Sequence, residues 1–156
     1  MHAFMRTLAR LGRHTLVVAA LSLSLAVAGA ASVSVGVHYS GKAKNGGKLS
    51  FRTTSTSVVG FKTSVNALCV SVAGAMSKLY VYPVLLQSPT RLKKGHFTIT
   101  FKGSSSTRII VTGIVKEKSA SGNITVNYSK TLGVTSTGLL AIGSCSAKTT
   151  WTAKKA

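Results

Sequence analysis

Side chains able to do chemistry are scarce in this chain. Its 156 residues include two cysteines, four histidines and a single acid, Glu117, against twenty lysines and arginines, for a formal net charge of +19. Paired-carboxylate catalysis needs two acids flanking one bond, and Glu117 stands alone. A Ser-His-Asp triad has no Asp to draw on, and no G-x-S-x-G elbow occurs. Calcium and magnesium sites built on clustered carboxylates are excluded on the same ground. Zinc would have to use Cys69, Cys145, His38 and His96, which show neither C-x-x-C nor H-x-x-x-H spacing. Lys44-Asn45-Gly46-Gly47 is too short for a phosphate-binding glycine loop and opens no helix. The remaining catalytic option is a Cys-His-Arg transpeptidase using Cys69, His96 and Arg108, which requires a free thiolate. The reading is therefore a non-enzymatic protein without cofactor or metal.

The thiols have a better use. Residues 1–31 carry Arg6, Arg10 and Arg13 ahead of an apolar run from Thr15 to Ala31, and A-x-A steps end at Ala28 and Ala30. That is the pattern of a removable export signal, so residues 32–156 form one secreted domain, membrane-attached only if the segment is retained. Outside the cytoplasm two cysteines usually join, and a Cys69–Cys145 bridge would close a loop worth about 4 kcal/mol of chain entropy. The mature part then has 17 positive charges and one negative, a net of +16.

The elements that must position these groups read as strands. Lys48 to Arg52, His96 to Lys102 and Asn123 to Ser129 alternate at period two, with Leu49, Phe51, Phe97, Ile99, Phe101, Ile124, Val126 and Tyr128 facing inward. Val58 to Cys69 and Ser144 to Lys154 turn both cysteines and Trp151 inward. Thr107 to Lys118 is more continuously apolar and reads as covered on both faces, while Asn66 to Lys78 has room for a helical turn. Pro83 demotes Leu79 to Leu86 to an edge or broken strand. Gly60 and Gly113 suggest bulges or close backbone approach. Turns are expected at Lys44-Asn45-Gly46, Lys94-Gly95, Ser121-Gly122 and between Gly133 and Gly143. The first, with Gly46 left-handed, pairs Tyr39 with Phe51 and Gly41 with Leu49 inside, and sets Lys42 opposite Lys48 outside. Strands at this spacing imply an all-β fold, an antiparallel β-sandwich or small β-barrel with one disulfide.

So basic a domain attracts polyanions. Lys42 and Lys48 are the sharpest anion-binding candidates, because like charges directly opposite across a hairpin repel and a bound anion relieves that cost. Lys44 shares their loop, and Arg91, Lys93 and Lys94 form a second cluster. Dispersed lysines that keep an acid-poor protein soluble are the competing explanation. Specific nucleic-acid recognition is not expected: the mature chain has 14 Lys to 3 Arg, and its aromatic rings fall on inward faces. An anionic cell-wall polymer or acidic polysaccharide fits an exported protein better, with Tyr39, Tyr80 and Tyr82 as rings for a sugar. A structural role through the sheet edge near Pro83 is the alternative.

Tyr39-Ser40-Gly41-Lys42, Gly47-Lys48-Leu49-Ser50-Phe51, Val59-Gly60-Phe61-Lys62 through Cys69, and Cys145-Ser146 with Thr150-Trp151-Thr152-Ala153-Lys154 together resemble uncharacterised small secreted β-domains of high-GC Gram-positive bacteria. The resemblance implies a small disulfide-linked β fold and carries no activity or ligand.

Overall fold

The computed structural model describes residues 36–72, 76–104 and 106–156, so the expected export signal lies outside the described residues. Among the described residues nine strands follow one another: β1 (Val37–Ala43), β2 (Lys48–Thr53), β3 (Ser57–Ser71), β4 (Ser77–Leu86), β5 (Thr90–Arg91), β6 (His96–Lys102), β7 (Arg108–Val115), β8 (Ser119–Val134) and β9 (Leu140–Lys155). All pairings are antiparallel, in the order β4-β3-β2-β1-β9-β8-β7-β6, and β3 also pairs β9 directly. That extra pairing closes β3, β2, β1 and β9 into a four-stranded ring from which β4 extends on one side and β8-β7-β6 on the other.

Strand length explains the closure. The long strands β3 and β9 run side by side only from Leu68 to Ser71 and Gly143 to Ser146. Beyond that seam they diverge, and the β1–β2 hairpin fills the gap, β1 bonding β9 and β2 bonding β3. The hairpin tip is tied to both sides: the Lys44 amide donates to the Thr150 carbonyl, and the Gly47 amide to the Ser64 carbonyl. The hairpin register is the expected one, with Tyr39 opposite Phe51, Gly41 opposite Leu49 and Lys42 opposite Lys48. Gly46, however, is not among the left-handed glycines. It is small because a Cβ there would collide with the Ser64 carbonyl oxygen as the tip docks on β3. Gly60 does adopt a positive φ, 65°, where the β2–β3 register slips, so the inward set of β3 changes parity between Val58 and Phe61.

The Cys69–Cys145 bridge lies in the seam, its two residues directly opposite with Cα atoms 3.9 Å apart. It joins neighbouring strands and does not span two layers. Trp151 sits six residues further along β9, packed on Phe51, Phe61 and Phe97 with ring centroids 5.6 to 6.1 Å away. Its indole N–H donates to the Thr112 carbonyl at 3.2 Å, linking the ring of strands to β7.

Four expectations are corrected. β7 is buried on one face only: Ile109 and Val111 are inside, while Ile114 is exposed, because no second layer covers the outer face of an antiparallel sheet. Asn66 to Ser71 continues β3 with its hydrogen bonds supplied by β4 and β9, so no helical turn forms there. Ser121-Gly122 is not a turn but part of β8; the chain reverses at Lys116 to Ser119, and Gly122 is small because a Cβ would strike the Thr112 carbonyl. Phe101 is 45% exposed, since it lies at the end of β6 where the core has tapered off. Pro83 falls within an unbroken edge strand, β4. Lys94 and Gly95 both have positive φ and form the expected two-residue turn between Lys93 and His96.

Burial holds two phenols above their ordinary value of 10.0: Tyr39, with the charge of Glu117 adding to the effect, and Tyr128, with Tyr82 and Tyr80 adding. The Tyr39 hydroxyl donates to the Lys116 carbonyl at 2.9 Å. A group whose folded value is raised contributes stability below its unfolded value and loses it as pH climbs through the folded one. Alkaline titration followed at 295 nm is expected to show a late-ionising component above the ordinary phenol range that coincides with unfolding. Tyr39→Phe should remove part of it; an unchanged profile would contradict the assignment.

Candidate functional site

Alternation along the ring strands sends every second side chain outward. The outer face of β1 and β2 carries Lys42 directly opposite Lys48, Ser40 opposite Ser50, and His38 opposite Arg52. On the far side of β2, Ser50 faces Lys62 of β3; on the far side of β1, Ser40 faces Lys154 of β9. Four adjacent strands thus contribute one lysine each, in the order Lys62, Lys48, Lys42, Lys154. Lys62 and Lys154 end the Ser50–Ser40 rung, and Lys48 and Lys42 occupy the next outward rung, two residues or about 7 Å along the strands. All four side chains are exposed.

Small residues form a floor between two of them, Lys48 and Lys62. Ser40, Gly41, Ser50 and Ser64 lie under an open depression of about 710 Å³ whose rim includes Lys48, Lys62 and Leu85. Gly41 has no room for a side chain, because its Cβ would strike the Thr152 carbonyl oxygen of β9. A neighbouring hollow of about 490 Å³ carries His38, Arg52 and Lys62 around the bulge at Gly60. The arrangement suits a chain of negative groups held by point charges and hydroxyl donors. It offers one guanidinium, Arg52 in the neighbouring hollow, and no exposed aromatic platform.

Of the lysines singled out from sequence, Lys42 and Lys48 meet as expected. Lys44 departs from them at the hairpin tip, where it lines a separate hollow with Asn45, Asn123 and Lys148. Arg91 pairs with Ser57 on β5, and the Lys93-Lys94 turn rests against the end of β7 through the Val115 amide and the Gly95 carbonyl. Ser57 lies beyond the end of β2, whose Thr53 is five residues, about 17 Å of strand, from Lys48. The two clusters are therefore distinct, although both approach the turn that carries Glu117: the second through Gly95 and Val115, the first through Lys154, which pairs with Ser119. Lys62, Arg52 and Lys154 were missed. Their outward parity is readable in the alternation, but Lys62 joins only through the β2–β3 register across the Gly60 bulge, and Lys154 only through β9 pairing with β1, more than a hundred residues away.

The other candidates are placed as follows. Cys69 is bonded to Cys145 and buried, and His96 and Arg108 are exposed on β6 and β7. Tyr39 is buried against Phe51 and is not a ring for a sugar. Tyr80 and Tyr82 are half-buried, the first beneath the Lys130 ammonium at 3.9 Å and the second against Tyr128.

No known protein family, curated protein or solved structure matches this chain. The fold defines the class as a disulfide-bridged all-β domain; such a bridge is typical of non-cytoplasmic proteins.

Proposed function

We propose that this is a non-enzymatic exported domain that binds a polyanion, an anionic cell-wall polymer or acidic polysaccharide, on the outer face of β3-β2-β1-β9. The observation that carries the reading is the Lys42–Lys48 pair, with Lys62 and Lys154 on the next rung and a depression floored by serines and glycine between Lys48 and Lys62. Like charges directly opposite one another destabilise a ladder by a few tenths of a kcal/mol up to about 1 kcal/mol. The sole acidic side chain lies in the β7–β8 turn between Lys116 and Lys118, and not on the Lys42–Lys48 rung. A negatively charged chain laid across the four strands neutralises them together and releases its own counterions.

Lys48→Glu separates this reading from mere solubility. The substitution is expected to raise stability by about 0.5 kcal/mol at low salt, because it turns a repulsive pair into an attractive one. It should also weaken retention on heparin or polyphosphate several-fold. A stabilised variant that still binds as tightly as wild type would leave the lysines with only a solubilising role.

A further inference from the structure

The charges are unevenly spread. Thr131 to Ala147 contains no charged residue, nor does Thr63 to Ser77 or Leu79 to Thr90, in a chain of 156 residues with 21 charged ones, 20 basic and 1 acidic. The first of these segments and the end of the second meet at one end of the fold, while the third runs back along β3 as far as Val58. The end of β8, the start of β9 and the end of β3 come together there, with the Val72 amide donating to the Ile142 carbonyl at 3.2 Å. Val72, Val134, Leu139, Leu140 and Ile142 are each more than half exposed at this end. Scattered exposed leucines need no explanation, but a contiguous apolar tip on a strongly charged domain does. Leu139 and Leu140 lead from the β8–β9 turn, whose fold is held by the Thr135 amide and hydroxyl bonding across to Leu139 and Thr137.

Behind the tip stand the first cations. Lys130 is opposite Gly143, three residues or about 10 Å from Leu140, and Lys78 is opposite Cys69 on β4. An apolar prow followed by lysines one headgroup-depth behind it complements one kind of surface. We infer that the β8–β9 tip docks this domain on an anionic lipid bilayer, with Leu139 and Leu140 entering the acyl boundary and Lys78 and Lys130 reaching the phosphates. A second copy of the chain is the poorer occupant, because it would bring a net charge of the same sign, whereas an anionic membrane is attracted by that charge. Among the described residues no helix is long and apolar enough to cross a membrane, and the contact argued here is peripheral.

The test uses the disulfide-intact protein and vesicles of phosphatidylcholine with or without phosphatidylglycerol. Wild type is expected to co-sediment with the anionic vesicles at low salt, and Leu139→Ser with Leu140→Ser to weaken that binding by about tenfold or more. The double variant should retain heparin binding, which lies on the separate lysine face; Lys48→Glu should do the reverse and keep its dependence on the two leucines. Both leucines are exposed, so folding should survive, and Val134→Ser provides a second variant at the same tip. Failure of wild type to bind anionic vesicles, or equal binding by the leucine variants, would overturn the inference. So would a concentration-dependent dimer that the same substitutions dissociate, since the tip would then be covered by a second copy.

Discussion

Removing the Cys69–Cys145 bridge is expected to lower stability by about 4 kcal/mol, the largest effect any two-atom change should have on this domain. The bridge spans 76 positions of chain, so its loss restores a large conformational freedom to the unfolded state. Its position adds a local consequence. The β3–β9 seam is only four residue pairs long, and it alone converts an open sheet into a ring. Without the bond, Leu68 to Ser71 and Gly143 to Ser146 keep their ladder but lose the covalent tie at its centre. Cys69→Ala with Cys145→Ala should therefore reduce the denaturation midpoint and also speed amide exchange in the seam more than in the β7–β8 ladder. A double variant within about 1 kcal/mol of wild type would mean that the ring closes without the staple.

Trp151→Ala is the second. The indole is buried to 1% exposure at the one place where β2, β3, β6 and β9 all contribute rings. Truncation leaves a large void and removes the indole's hydrogen bond to the Thr112 carbonyl, and losses of about 3 to 5 kcal/mol are usual for such a change. For a domain of this size that is about 15 °C in melting temperature. Trp151→Phe, which keeps most of the packing and loses the hydrogen bond, should cost less than half as much. The intended readout is thermal unfolding by near-ultraviolet circular dichroism. Equal losses for Phe and Ala would assign the effect to the hydrogen bond and not to the packed cluster.

What could be read from the chain was local. The β1–β2 register followed from alternation on both sides of Lys44-Asn45-Gly46, because a hairpin needs no information from outside itself. The Cys69–Cys145 pairing followed from there being no other partner. Ring closure was illegible, because it rests on contacts such as Ala43 with Trp151 that no periodicity encodes. Two small residues misled for a related reason: Ser121-Gly122 resembles a turn, yet Gly122 is small to let the Thr112 carbonyl approach, while the true reversal at Lys116-Glu117-Lys118 carries neither Gly nor Pro. The lysine cluster inherited the same gap. Lys42 and Lys48 were visible together, whereas Lys62 and Lys154 join them only once β3 and β9 flank the hairpin.

Amide chemical-shift mapping with a short polyphosphate asks most directly where this domain holds anions. Perturbations are expected to concentrate on Ser40, Lys42, Lys48, Ser50, Lys62 and Ser64, to saturate, and to vanish in high salt. Shifts centred on Arg91 to Gly95, or spread evenly over every exposed lysine, would contradict the account.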